Sequence, residues 1–99
     1  MSGGDWKDMF HAACRGDLEL VRFHLEHGVD PDHAHPEYQE TPLVAAILAK
    51  QPGAADLLLD HGADPTLVSP MDQFTPLQAA RLARLTAIQQ RLEATGATA

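Results

Sequence analysis

The chain has 99 residues, enough for one domain, and its 44% hydrophobic and 21% charged residues are globular rather than disordered proportions. The single cysteine, Cys14, excludes an internal disulfide, and the formal net charge of −7 argues against a nucleic-acid partner, because an acidic surface repels phosphate. No apolar run reaches the length of a membrane span, and the first residues lack the basic start and apolar run of a secretory signal, so the composition points to the cytoplasm.

In chain order, the pattern predicts a first helix over 5–15, broken by Gly16-Asp17, and a second over 18–27, stopped by Gly28. A polar excursion then runs from Asp30 to Glu40. Thr41 is placed to N-cap a third helix over 42–50, with Pro42 in its first turn and the small pair Ala45-Ala46 admitting a close neighbour. Pro52-Gly53 reads as the next break, a fourth helix follows over 54–61 with Leu57, Leu58 and Leu59, and Gly62 ends it. After a second excursion from Asp64-Pro65, Thr75-Pro76 opens a fifth helix over 76–83, and a sixth is expected over 86–95. Nothing between Arg81 and Glu93 is a breaker, so these last two helices can run partly together.

Sliding the chain by 34 residues aligns it with itself. Thr41-Pro42-Leu43 falls on Thr75-Pro76-Leu77, Ala45-Ala46 on Ala79-Ala80, His27-Gly28 on His61-Gly62, Asp30-Pro31 on Asp64-Pro65, and Leu58 on Leu92. Such a helix pair cannot bury its apolar face alone and must stack on a copy of itself, while the end repeats need polar outer faces. Arg91 and Glu93, standing where the second repeat has Leu57 and Leu59, would supply one such face; Lys7-Asp8 replaces Thr-Pro at the other end. The expected architecture is all-α: a single domain over 1–99 holding three helix–turn–helix repeats at about 5–37, 38–71 and 72–96, with short extended or hairpin fingers between them.

These residues resemble the ankyrin repeat family. Thr41-Pro42-Leu43 with Ala46, Leu57-Leu58-Leu59 and Gly62-Ala63-Asp64 match its pattern, as do Ala12-Ala13, Gly16-Asp17-Leu18-Glu19, Val21, Leu25, Gly28 and Asp30 in the first repeat. Val44 and Gln78 replace the family histidine, Lys50 and Arg84 the glycine between helices, and Gln39 and Gln73 the glycine before threonine. The finger excursion is one residue longer than the family's. The resemblance implies a module that binds another protein, as adaptor, inhibitor or regulator, through its finger tips and concave face, without a cofactor.

The candidate site is a protein-binding one: Trp6, His33, His35, Glu37, Tyr38, Glu40, Met71, Asp72 and Phe74. The aromatics sit before the first turns of the three repeats and suit interface anchoring, unless they pack between fingers. Asp30, Asp32, Glu37 and Glu40 on a finger with no lysine or arginine call for a basic patch on the partner. The alternative is a metal- or ligand-responsive sensor using His33 and His35, whose i, i+2 spacing turns both rings the same way in an extended segment. Cys14 lies on a helix with no evident base, and no Gly-x-Ser-x-Gly, His-Glu-x-x-His or phosphate loop occurs, so no catalytic residue and no resident metal are assigned and the protein is read as a non-enzyme. Free of its partner it is expected to be a monomer.

Overall fold

The structure, a computed structural model, describes residues 3–96. Its elements are six helices: α1 (Gly3–Arg15), α2 (Leu18–Glu26), α3 (Pro42–Leu48), α4 (Pro52–Asp60), α5 (Pro76–Ala83) and α6 (Thr86–Ala94). No strand occurs among the described residues, so the fingers are built from turns. The ends of the expected 1–99 domain, residues 1–2 and 97–99, lie outside the described residues.

Each odd helix pairs with the even one after it, and each pair packs only on its sequence neighbours: α1 and α2 on α3 and α4, these on α5 and α6. That is the one-dimensional contact pattern of a repeat stack. Small residues let the first helices approach: Ala12, Ala13, Ala46, Ala79 and Ala80 are fully buried. Leu58 and Leu92, 34 residues apart, are also fully buried, and a leucine so placed contributes roughly 1.5–3 kcal/mol of transfer free energy.

Caps set the helix starts. Thr41 Oγ1 accepts the Val44 amide at 3.4 Å. Thr75 accepts the Gln78 amide at 3.1 Å while Gln78 Oε1 accepts the Thr75 amide at 3.0 Å, a reciprocal box that gives Gln78 a role at the position of the family histidine. Asp17 caps α2 through Leu20.

The helix ends repeat at the 34-residue interval as well. The Asp17, Gln51 and Leu85 amides reach back to the carbonyls of Ala12, Ala46 and Ala80, which requires the residue just before each to be left-handed. Gly16 (φ 81°) satisfies this without strain; Lys50 and Arg84 adopt the same region at φ 60°. The turn therefore survives loss of its glycine, because helix packing on both sides fixes the chain reversal. Gln39 (φ 53°) and Gln73 (φ 62°) do likewise before the two capping threonines.

Three expectations are corrected. The third repeat's helices do not run together: left-handed Arg84 ends α5 at Ala83. Pro52-Gly53 is not a break, since Pro52 is the first residue of α4 and Gly53 lies in its first turn, where an added Cβ would stand 3.1 Å from Leu18 Cδ1. Arg91 does not form an outer face. It turns back onto the second repeat, bonding Asp56 at 2.9 Å and Asp60 at 2.6 Å, because two carboxylates of α4 offer it a fork of acceptors.

Candidate functional site

The first finger, residues 29–40, folds down onto the N-terminal turns of α1. Trp6 is the hinge of this contact. Its ring is 4% exposed, stacks on Phe10 at 5.1 Å and on His35 at 5.7 Å, and meets His33 and Tyr38 edge-on at 5.8 and 5.4 Å. Its Nε1–H donates to the His33 carbonyl at 2.9 Å. A buried indole keeps its donor satisfied, and here the acceptor is the finger backbone itself. Tyr38 is half-buried, packs edge-on against Phe10 at 4.9 Å, and its hydroxyl shares a 2.7 Å hydrogen bond with His11 Nε2.

Polar contacts close the finger. His35 Nδ1 accepts the Glu37 amide at 3.1 Å, which assigns the ring proton to Nε2. The Glu37 carboxylate pairs with Lys7, whose ammonium also lies 5.9 Å from the Tyr38 ring centroid. Lys7 holds Glu37 below the ordinary carboxylate range, first by the hydrogen bond and then by its charge.

The second finger, residues 63–74, is joined to the first by the Met71 amide, which donates to the Gln39 carbonyl at 2.8 Å, and by Ser69, whose buried hydroxyl accepts the Thr41 amide. Here burial pushes the Glu40 carboxyl above its usual range, and the nearby Asp72 charge adds to that shift. Neither Glu40 nor Asp72 has a cationic partner among the described residues. Met71, at 61% exposure, and Val68, at 41%, leave an apolar edge beside them.

The structure thus brings Trp6, His33, His35, Glu37 and Tyr38 into one cluster and sets Glu40 beside Asp72, with Met71 on the adjoining rim. Phe74 does not join the rings. It is half-buried against the core, its amide donating to Asp72 Oδ1 at 3.2 Å. Trp6 is a packing residue beneath the surface rather than an open anchor, since little of it is accessible. Sequence reasoning missed Phe10, which lies under Trp6 and Tyr38, and Lys7, which reaches Glu37 across 30 residues. Phe10 carried a signal, because its aligned position holds the apolar Val44; Lys7 carried none.

The sensor alternative meets a geometric obstacle. The His33 and His35 rings stand 6.3 Å apart and nearly perpendicular, and no group of three or more metal-ligating side chains converges among the described residues. Burial pushes the Cys14 thiol up, with the Glu40 charge adding to it, so at neutral pH it stays a thiol rather than a nucleophilic thiolate. No enclosed pocket is found among the described residues. No described helix is long and apolar enough to cross a membrane.

Against known proteins, the family model described as Ankyrin repeats (3 copies) matches residues 5–69. That span takes in α1 to α4 and most of the second finger, and the third helix pair continues the same stack beyond it. No curated protein matches the chain.

Proposed function

The chain belongs to the ankyrin repeat family, and from that premise we propose that it is a non-catalytic protein-binding module whose partner presents a basic group to the face between its two fingers. Ankyrin repeats are generally protein–protein interaction modules. The observation that carries the finer reading is Glu40. It is partly desolvated, raised toward its neutral form and set beside Asp72 with no cation among the described residues to answer either charge. A lysine or arginine of a partner would relieve that like-charge pair and gain an ion pair in a half-dry setting, where it is worth more than in open water. Tyr38, Met71 and Phe74 border the acids with apolar surface, Glu37, His33 and His35 form the outer rim, and Trp6 holds the finger rigid from below. A surface fixed in advance loses little entropy on binding.

We read the chain as one domain with repeats at about 5–37, 38–71 and 72–96, cytoplasmic and monomeric when free, acting as adaptor, inhibitor or regulator of its partner. The test is kinetic. Proteins captured from a native lysate by the wild-type chain are re-measured against Glu40→Gln and against Glu37→Gln/Glu40→Gln. The reading expects slower association with a flattened salt dependence. Tyr38→Ala, with its helical content checked, should raise the dissociation rate. Binding that ignores all three variants would move the site elsewhere, to the Arg81 and Arg84 surface of the third repeat.

A further inference from the structure

Two of the six histidines, His33 and His35, meet the one tryptophan, and a third, His11, meets the Phe10 and Tyr38 rings packed beside it. We propose that this imidazole cluster makes the first finger a proton-gated latch: neutral, it holds the acidic face in place; protonated, it loosens the finger and cancels its charge. The gating of binding rests on the acidic-face reading above, whereas the latch stands on the cluster's own geometry.

His35 is the pin. Its Nδ1 accepts the Glu37 amide, and only the neutral ring has a lone pair there. Adding a proton turns that acceptor into a donor and leaves the Glu37 amide facing an N–H. The new donor lies 3.7 Å from the Glu37 carboxylate, which already serves Lys7, so the imidazolium competes for the ion pair that ties the finger to α1. The charged and titratable groups meeting the cluster are Lys7 and His11 from α1, and His33, Glu37 and Tyr38 from the finger. The second finger meets the first through the Met71 amide, which does not titrate here, through the Asp64 amide, which donates to the Asp32 carboxylate at 2.8 Å, and through Asp72, whose charge is felt at Glu40, while its Ser69 hydroxyl holds the Thr41 amide just beyond the first finger.

Charge and geometry push in the same direction. Asp30, Asp32, Glu37 and Glu40 against Lys7 leave this region at −3, and three imidazoliums would bring it to zero. Two of those positive charges would also sit on rings 6.3 Å apart, beside an ammonium. The acidic face is therefore complete while the rings are neutral and fades as they take up protons. Loss of the His35 acceptor, with local repulsion between the two rings, loosens the finger; loss of net negative charge removes its attraction for a basic partner.

Trp6 reports on the latch directly, since the tryptophan is unique and an imidazolium stacked on indole quenches its emission. Emission and far-UV ellipticity are followed together from pH 8 to 5, with EDTA present to remove metal ions. Wild type should lose about a third or more of its emission in one step inside the imidazole window, with ellipticity unchanged. His33→Gln/His35→Gln should lose the step, because a glutamine side-chain oxygen can still accept the Glu37 amide but carries no titratable proton. A flat wild-type curve, a step that persists in the double variant, or a step accompanied by lost ellipticity overturns the latch. A fluorescent decalysine peptide then probes the gate, with affinity expected to fall about tenfold from pH 7.5 to 5.5 in wild type and distinctly less in the double variant. Equal loss in both overturns the gating. Failure of the peptide to bind at either pH, with the Trp6 step present, sinks the basic-partner reading and leaves the latch standing.

Discussion

His24 occupies the position that Leu58 and Leu92 fill in the other two repeats, and replacing it with leucine should stabilise the protein. The side chain is 5% exposed and its Nε2 finds no hydrogen-bond partner among the described residues. Leaving a buried polar atom unsatisfied costs about 1–3 kcal/mol. Leucine removes that cost and is the residue which the equivalent sites bury completely, while repacking around its different shape returns up to about 1.5 kcal/mol. The balance is a gain of about 1–2 kcal/mol, or roughly 4–16 °C in Tm for a domain near this size. Thermal unfolding followed by ellipticity at pH 7.5 measures it. The reverse change, Leu58→His, should lower Tm by a comparable amount. A His24→Leu protein melting at or below wild type would refute the reasoning, because it would mean the imidazole makes a contact worth more than its missing hydrogen bond.

Other substitutions probe the remaining elements of the fold. Leu58→Ala should cost about 2–5 kcal/mol in urea unfolding, as a fully buried leucine does, and a loss below about 0.5 kcal/mol would place that side chain at the surface. Arg84→Gly should stabilise by about 0.5–1 kcal/mol, since relief of roughly 1–2 kcal/mol of left-handed strain exceeds the extra backbone entropy of glycine. Gly16→Ala should do the opposite, because a side chain at φ 81° is strained even after the Gln51 side-chain end moves aside for its Cβ; equal stability would refute the shared-turn account. Glu40→Gln should raise Tm at pH 7 and leave it unchanged near pH 4. The folded-state pKa of Glu40 lies above its unfolded value, so ionisation costs stability as pH rises through that interval, and glutamine cannot incur the cost. The same substitution should weaken partner binding, so a variant that is no more stable, or that binds as well as wild type, contradicts the desolvated-acid reading.

The sequence by itself determined the stack. A 34-residue interval that returns Thr-Pro, paired alanines, a leucine run and Gly at fixed offsets can be satisfied only by identical helix pairs packed on one another, and it placed each helix to within about two residues. Local chemistry sufficed there because caps, small-residue contacts and glycine stops act over a few positions. Where the signal lay in packing, the sequence was silent or misleading. Lys50, Arg84, Gln39 and Gln73 disfavour the left-handed region they adopt, and only their surroundings force them into it: packed helices on either side of the first two, and finger turns closed on the His35 and Ser69 carbonyls for the last two. Arg91 read as a solvent-facing cap until Asp56 and Asp60 came within reach. Trp6, Tyr38 and Phe74 formed one set by their nearness to the repeat starts, yet a finger that folds back onto α1 buries the first, half-covers the second and separates the third from both. That fold-back depends on contacts across 27 to 30 residues, between Trp6 and His33, His11 and Tyr38, and Lys7 and Glu37. No periodicity encodes those contacts, because each is made once, on one finger, where tertiary packing brings a helix start and a loop together.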